Sequence, residues 1–224
     1  KTSSVLQALY ERHKLVTYPR TDSRYFSSDM VGTLKARLAG MSVGPYQPFA
    51  DPVKRDAQLQ LKKAVNDAKV TDHHAIIPTE ERLHLSALSL DERKLYDLIA
   101  RRFLALFYPV SRYDETKVTL EAGGESFYAA GKVILDSGWK QVYGKDYRSG
   151  EGDEAEANAD TSNETQLPQR LAEGQTFPVR SIRTRQQHTQ PPSRFTEASL
   201  LTQMEKYQLG TPATRAEIIE KLLN

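Results

Sequence analysis

The segment Val16 to Ser23, VTYPRTDS, places a phenol two residues before a guanidinium, with a proline between them. A tyrosine attacking a phosphate ester needs help, because its phenol has a pKa of about 10 and is protonated at neutral pH. A nearby guanidinium favours the phenolate and neutralises the charge that builds on phosphate oxygens in the transition state. Arg20 lies at i+2 from Tyr18, so an extended backbone projects both to one side, and Pro19 stiffens that geometry while removing a backbone donor. By spacing alone, a structural tyrosine beside a surface arginine is the commoner meaning of such a pair.

A second constellation, VTDHHAIIPT (Val70 to Thr79), carries adjacent histidines beside Asp72. Adjacent residues of a strand point to opposite faces, so one of the two histidines can share a site with Tyr18. An imidazole there could stabilise a phosphoryl oxygen or move a proton; a histidine satisfied by Asp72 fits the spacing equally well. A zinc site is disfavoured, since there are no cysteines and His13, His84 and His188 show no ligand spacing. Arg180, Arg183 and Arg185 recur at i, i+3 and i+5 on a predicted strand and its exit, and Arg194 and Arg215 flank the last two helices. Arginines on a solvated face are commoner than phosphate contacts. Thr211-Pro212-Ala213-Thr214-Arg215 opens a helix, where free backbone N–H groups suit a phosphate, as they do at most helix starts.

The elements that must position these groups run α, then β, then α. Val5, Leu6, Leu9 and Tyr10 form the stripe of an amphipathic helix over Thr2 to His13. Leu15 to Tyr18 is expected to be extended, because the residue before a proline is pushed out of the α region. Ser27 to Leu38 is read as a second helix stopped by Gly40, Gly44 to Pro52 as a proline-broken loop, and Lys54 to Ala68 as a helix. Ser89 and Glu92 make a capping-box pair for a helix to Phe107, with Leu95, Leu98, Ile99, Phe103 and Leu106 on one face. Thr116 to Glu121, Gly123-Gly124 and Phe127 to Leu135 alternate as a hairpin, and Thr176 to Ile182 is a further strand candidate. Thr196 is placed to cap a helix from Glu197 to Tyr207, Gly210 ends it, and Pro212 opens the last.

The chain has 224 residues, 38% of them hydrophobic, enough to build a core. It contains no cysteine, which excludes disulfides and thiolate chemistry. No apolar run approaches the roughly 18 residues of a membrane span, and a cytoplasmic monomer with no membrane partner is expected. The chain opens on Lys1 and stops at Asn224 directly after an apolar helical run, which reads as an excised fragment. Its net charge of +2 conceals an asymmetry: Gly144 to Gln166 carries −5 and the remainder +7. A basic body suits a polyanionic partner, and the acidic stretch 144–166 is expected to be a mobile loop that cannot bury apolar area.

Taken together, LYERHKLVTYPRTDSRY, AKVTDHHAIIPT, RKLYDLIARRFLALFYP and QPPSRFTEASLLTQMEKYQLGTPATRAEIIEKLL resemble segments of type IA DNA topoisomerases, most closely the bacterial topoisomerase III branch, in the family's order. The resemblance implies a multidomain α and β fold: a mainly helical, CAP/winged-helix-like domain bearing the active-site tyrosine at about 1–109, part of a β-rich hinge domain at 110–187, and the start of a helical base domain at 188–224. It implies that Tyr18 attacks a single-stranded DNA phosphodiester and holds the 5′-phosphate, that Arg20 stabilises the scissile phosphate, and that His73 is the active-site histidine. Gln7 and Tyr10 fall where the family touches the single strand, and Thr211, Thr214 and Arg215 on a DNA-contacting loop. Single-stranded DNA is the implied substrate, with a helicase or single-strand-binding protein as candidate partners and no ATP requirement.

Two departures stand out. Nothing here resembles the family's Toprim domain, which binds Mg²⁺, so no cofactor is expected on this chain and the isolated fragment is expected to lack full activity. The link from SLLTQMEKYQ to LGTPATRA is short where many topoisomerase III members carry an insertion, which weighs against strong decatenation. A non-catalytic single-stranded DNA-binding module, with Tyr18 stacking on a base, is the alternative. A tyrosine recombinase or relaxase fits less well, since the tyrosine is near the start and no three-histidine cluster exists.

Overall fold

The computed structural model describes residues 1–55, 61, 64–70, 72–146, 167 and 171–223. Helix α1, Thr2–Glu11, buries Leu9 and lays Leu6 and Tyr10 on the core. It docks against α4, Leu90–Ala105, which buries Tyr96, Ala100, Phe103 and Leu104. Each large side chain so buried contributes about 1.5–3 kcal/mol relative to an exposed one. The capping box at the start of α4 forms as the sequence predicts: Ser89 N–H donates to Glu92 Oε2 at 2.8 Å, and Glu92 N–H to Ser89 Oγ at 3.4 Å.

Glu92 does more than cap. Its carboxylate also accepts from Arg12, just past the end of α1, and lies 3.2 Å from His13 Nε2, so one 3%-exposed acid joins two helix ends. The Ser89 N–H holds its carboxyl down, at about 2, and Arg12 and His13 add to this against the opposing effect of burial.

Between α1 and α4 the chain departs from several expectations. The helix expected over Ser27 to Leu38 is split into a 3₁₀ stretch, Ser28–Thr33, and α2, Leu34–Met41. The Thr33 hydroxyl donates to the Met30 carbonyl at 2.8 Å, which competes with the α ladder there. Gly40 does not stop α2; it lets a neighbouring strand come close. A Cβ at Gly40 would stand 2.6 Å from Glu80 O and 2.7 Å from Glu81 O, and Leu83 N–H donates to Gly40 O at 3.0 Å. Gly44 to Pro52 is not a loop: after the turn Gly44–Tyr46, helix α3 runs over Gln47–Arg55 through Pro52, carried by burial of Ala50 and Val53. The helix expected from Lys54 to Ala68 ends at Arg55 in its described part. Asp67–Lys69 is a 3₁₀ turn and Val65 pairs with Phe26 in a parallel bridge, while 56–60, 62 and 63 lie outside the described residues.

Strands β1, Arg112–Ala122, and β2, Glu125–Asp136, form the expected antiparallel hairpin, with Glu115 opposite Lys132 and Thr119 opposite Tyr128. Gly123 and Gly124 take φ of 62° and 82°, which two-residue hairpin turns require. Beyond β2 the chain returns to the helical body: Trp139 N–H donates to Pro109 O at 2.8 Å, Arg101 donates to the Val142 carbonyl, and Val142 is fully buried.

Thr176 to Ile182 is extended but joins no ladder among the described residues, and Phe177, Val179 and Ile182 are exposed. A strand is defined by its partner, and this segment has none among the described residues. The acidic stretch from 147 to 166 lies outside the described residues. Helix α5, Glu197–Lys206, is capped by Thr196 as predicted and packs on α6, Arg215–Leu223. Helix α6 starts at Arg215, three residues after Pro212, because Thr211 to Thr214 closes a turn in which Thr211 N–H donates to Thr214 Oγ1 at 2.9 Å. Among the described residues no helix is long and apolar enough to cross a membrane.

Two outcomes follow from this packing. Glu92 has its carboxyl near 2 in the folded chain against a usual value near 4.5, so its stabilisation is complete above about pH 4.5 and disappears as the pH falls through about 2. Urea titrations from pH 6 to pH 2.5 are expected to show wild type losing its advantage over Glu92→Gln across that window; parallel curves would remove the assignment. Gly40→Ala is expected to lose about 1–3 kcal/mol in the same assay, because its methyl group meets backbone oxygens that cannot rotate away. An unchanged unfolding midpoint would show that the approach to Glu80 is not tight.

Candidate active site

Tyr18 and His73 come together because the segments that carry them pair antiparallel. Val16 bridges Pro78, flanked by Thr17 N–H donating to Ile77 O and Thr79 N–H to Leu15 O, both at 3.0 Å. This makes Val16 and Pro78 a non-hydrogen-bonded pair, the position where a proline costs no ladder bond. Val16, Ile77 and Pro78 are buried, so the register is fixed by burial as well as by bonding. Lys14, at φ 57°, turns the chain from α1 into this strand.

The strand ends where Pro19 follows, and the Tyr18 ring emerges half-buried between two others. His73 lies over its face, with centroids 4.1 Å apart and planes tilted by 31°. Tyr10 of α1 meets it edge-on at 5.7 Å and 88°. The Tyr18 hydroxyl makes no hydrogen bond to a described residue. His74 points elsewhere: its Nδ1–H donates to the Ala75 carbonyl at 2.8 Å, which leaves His73 as the histidine of the cluster.

Arg20 is exposed and has no carboxylate partner among the described residues. It borders an open groove of about 500 Å³ along α1, together with Ser3, Ser4, Gln7, Glu11 and Arg12. Gln7 donates to Glu11 and Arg12 is held by Glu92, so Arg20 is the cation of this groove free to meet an anion. The structure thus brings Tyr18, His73 and Tyr10 into one cluster, with Gln7 and Arg20 on the adjoining groove. Thr211, Thr214 and Arg215 are not in it: among the described residues their hydrogen bonds close on one another and on Leu209 O. Arg24, six residues after Tyr18, reaches Glu205 of α5 at 3.4 Å.

Sequence reading missed two residues that hold the site. Thr17 donates its hydroxyl to Ala75 O at 3.1 Å and accepts from Ile77 N–H at 3.0 Å. Arg37, only 8% exposed, donates to Pro78 O at 2.9 Å and Thr33 Oγ1 at 2.9 Å and pairs with Glu80 at 3.0 Å, clamping the far end of the histidine strand. Burial pulls its guanidinium down from the usual arginine range, and the Glu80 carboxylate opposes that. The available signal was an arginine on the buried stripe Leu34, Arg37, Leu38, Met41.

A family model described as DNA topoisomerase matches residues 1–224. The chain is 51% identical to DNA topoisomerase 3 of Bacillus subtilis and of Bacillus licheniformis, and 44% identical to that of Bacillus cereus. Each match covers all of this chain and 32% of the relative, so the chain spans about a third of the length of these proteins. Its fold resembles full-length topoisomerase I from Thermotoga maritima, with a TM-score of 0.59 at 24% identity, covering all of this chain and 37% of that one. The match along every residue and the half-identity to the Bacillus proteins agree with the motif order around Tyr18 and His73: the chain belongs to the type IA DNA topoisomerase family, on its topoisomerase III branch.

Proposed function

We propose that this chain supplies the nucleophile of a type IA topoisomerase that cuts one strand of DNA through Tyr18. The observation that carries the reading is the half-buried Tyr18 ring held between Tyr10 and His73, its hydroxyl free of hydrogen bonds to the described residues. In the reaction the Tyr18 oxygen attacks the phosphorus of a single-stranded phosphodiester and its proton leaves to base or solvent. The bond from phosphorus to the 3′-oxygen breaks and that oxygen takes up a proton. One phosphodiester replaces another, so the step is close to energy-neutral and reversible; religation retraces it after strand passage, and no ATP is consumed. Arg20 neutralises charge on the attacked phosphate, and His73 stands against the phenol, where an imidazole can orient it or move its proton. Gln7 and Tyr10 extend the track for the strand along α1. Thr211, Thr214 and Arg215 form a second DNA contact on the turn before α6.

Magnesium belongs to this reading as a group held outside residues 1–224. The described residues do not fit it, since no three histidines or acids among them converge, and we route no step through the ion. Domains of about 1–109, 110–187 and 188–224 remain the division that the motif order supports.

The test uses the chain alone and the chain grafted in place of the matched third of the Bacillus subtilis relative, each incubated with labelled single-stranded DNA and Mg²⁺ and trapped with denaturant. A covalent adduct is expected from the graft and not from the chain alone, and Tyr18→Phe is expected to abolish it while leaving DNA binding within about twofold. DNA binding without any adduct in the active graft background would favour the non-catalytic module. A second measurement addresses Arg20: Arg20→Ala is expected to weaken single-strand binding across sequences and to reduce the slope of log affinity against log salt by about one. An unchanged slope would mean that Arg20 meets no phosphate.

A further inference from the structure

The paired strands break their own pattern at Thr17. Thr17 and Ile77 occupy a position where both backbone groups should be exchanged. Thr17 N–H donates to Ile77 O as it should, at 3.0 Å, but Ile77 N–H donates to the Thr17 hydroxyl at 3.0 Å. The hydroxyl stands in for the carbonyl that the chain withdraws as it turns toward Pro19. It passes its own proton to Ala75 O at 3.1 Å, the carbonyl that also receives His74 Nδ1–H at 2.8 Å. Ala75 N–H in turn donates to Tyr25 O at 2.7 Å. One side chain, adjacent to Tyr18, therefore fixes the backbone two residues after His73.

From this geometry we infer that Thr17 is a positioning residue, whose hydroxyl sets the stack of His73 on Tyr18. The inference rests on the proposed role of Tyr18 as nucleophile, but its geometric content can be read without catalysis. Pro78 is held by Arg37 and loses no pairing bond, but beyond it, toward His73, backbone pairing with the tyrosine strand ends at the single bond Thr17 N–H to Ile77 O, which leaves that end of the histidine strand free to swing. The relay from Ile77 N–H through Thr17 to Ala75 O closes that freedom. Valine has nearly the same shape and cannot relay, whereas serine keeps the hydroxyl. Misplacing a reacting group by about 1 Å can cost about a hundredfold in rate, so the effect belongs on the rate of cleavage rather than on DNA affinity.

The experiment has two arms. In the first, the His73 ring protons of the chain are followed by NMR: stacking on the Tyr18 ring shifts them upfield. Tyr18→Leu and Thr17→Val are expected to remove the shift and Thr17→Ser to keep it. Thr17→Ala, which deletes the hydroxyl without adding bulk, provides the same reading if the valine variant folds poorly. Retention of the upfield shift in a folded variant without the hydroxyl would overturn the inference. In the second arm, adduct formation is timed in the full-length graft. Thr17→Val is expected to slow it about 10- to 100-fold with single-strand affinity unchanged, Thr17→Ser to restore it, and Thr17→Val with His73→Ala to be no slower than His73→Ala alone. A purely structural role would make the two substitutions multiply, and that result also overturns the inference. If the NMR pattern appears as expected and no protein forms a Tyr18-dependent adduct, the nucleophile reading fails while the positioning of His73 by Thr17 stands.

Discussion

The pairing of Leu15–Thr17 with Ile77–Thr79 is the constraint on which the candidate site depends, because it brings Tyr18 and His73, far apart in sequence, to one place. Two backbone bonds and one hydroxyl relay make a short ladder, each bond worth about 0.5–1.5 kcal/mol net. That sum is comparable to the entropy lost in closing the intervening loop, so the ladder cannot hold by itself. Burial supplies the rest. Leu15, Val16 and Ile77 are at most 4% exposed, and Arg37 anchors Pro78 from α2. Helix α1 is tied in at its C-terminal end through Arg12, His13 and Glu92, which places Tyr10 against the same tyrosine.

The sequence makes legible what is decided locally. Capping pairs at Ser89 with Glu92, the Gly123-Gly124 turn and the alternation on either side all act within a few residues, and each appears where expected. Local signals fail where tertiary burial overrides them. Prolines at 48 and 52 suggest a loop, yet Ala50 and Val53 are carried into the core and the helix closes around Pro52. Gly40 has the composition of a helix stop and the function of a close approach, which becomes visible only with Glu80 and Glu81 beside it. For the site, the residue types at Tyr18, Arg20 and His73 were readable, while the choice of His73 over His74 depends on the bond from His74 to Ala75 O. Thr17 looked like an ordinary β-branched strand residue, and its relay could not be seen until Ile77 and Ala75 were placed.

Away from the body the chain is held differently. The hairpin puts Glu115, Lys117 and Lys132 on one face and Val118, Leu120, Phe127 and Val133 on the other. Leu120, Phe127 and Val133 are all well exposed. Two strands alone are marginal in water, so what orders the hairpin here is its return through Gly138 to Val142 onto α4. There Gly138 sits so close to Pro109 O, at 2.5 Å from a hypothetical Cβ, that a side chain is excluded. Helices α5 and α6 follow an exposed segment, and the Arg24–Glu205 pair that joins α5 to the segment after Tyr18 is a surface contact, worth less than about 1 kcal/mol.

This distribution of charge bears on how the proposed chemistry is divided. Arg12 is committed to Glu92 and Glu11 is engaged by Gln7, whereas Arg20 is exposed on the same groove with no carboxylate partner among the described residues. Under the proposed function the described residues offer a phosphate the exposed cation Arg20, an aromatic cradle and the Tyr18 phenol. Among the described residues it offers no general base bonded to the Tyr18 hydroxyl. A phenol with no base bonded to its hydroxyl is a weak nucleophile, so in the proposed reading geometry alone does not make the site active. The cradle fixes where the oxygen is; in the proposed function its activation falls to groups outside residues 1–224, and the relatives that the chain matches are about three times as long. Under the proposed function, separating Tyr18 from the groups that activate it has a physical consequence: cleavage becomes conditional on the two parts being brought together around the DNA, and an open arrangement leaves the strand uncut.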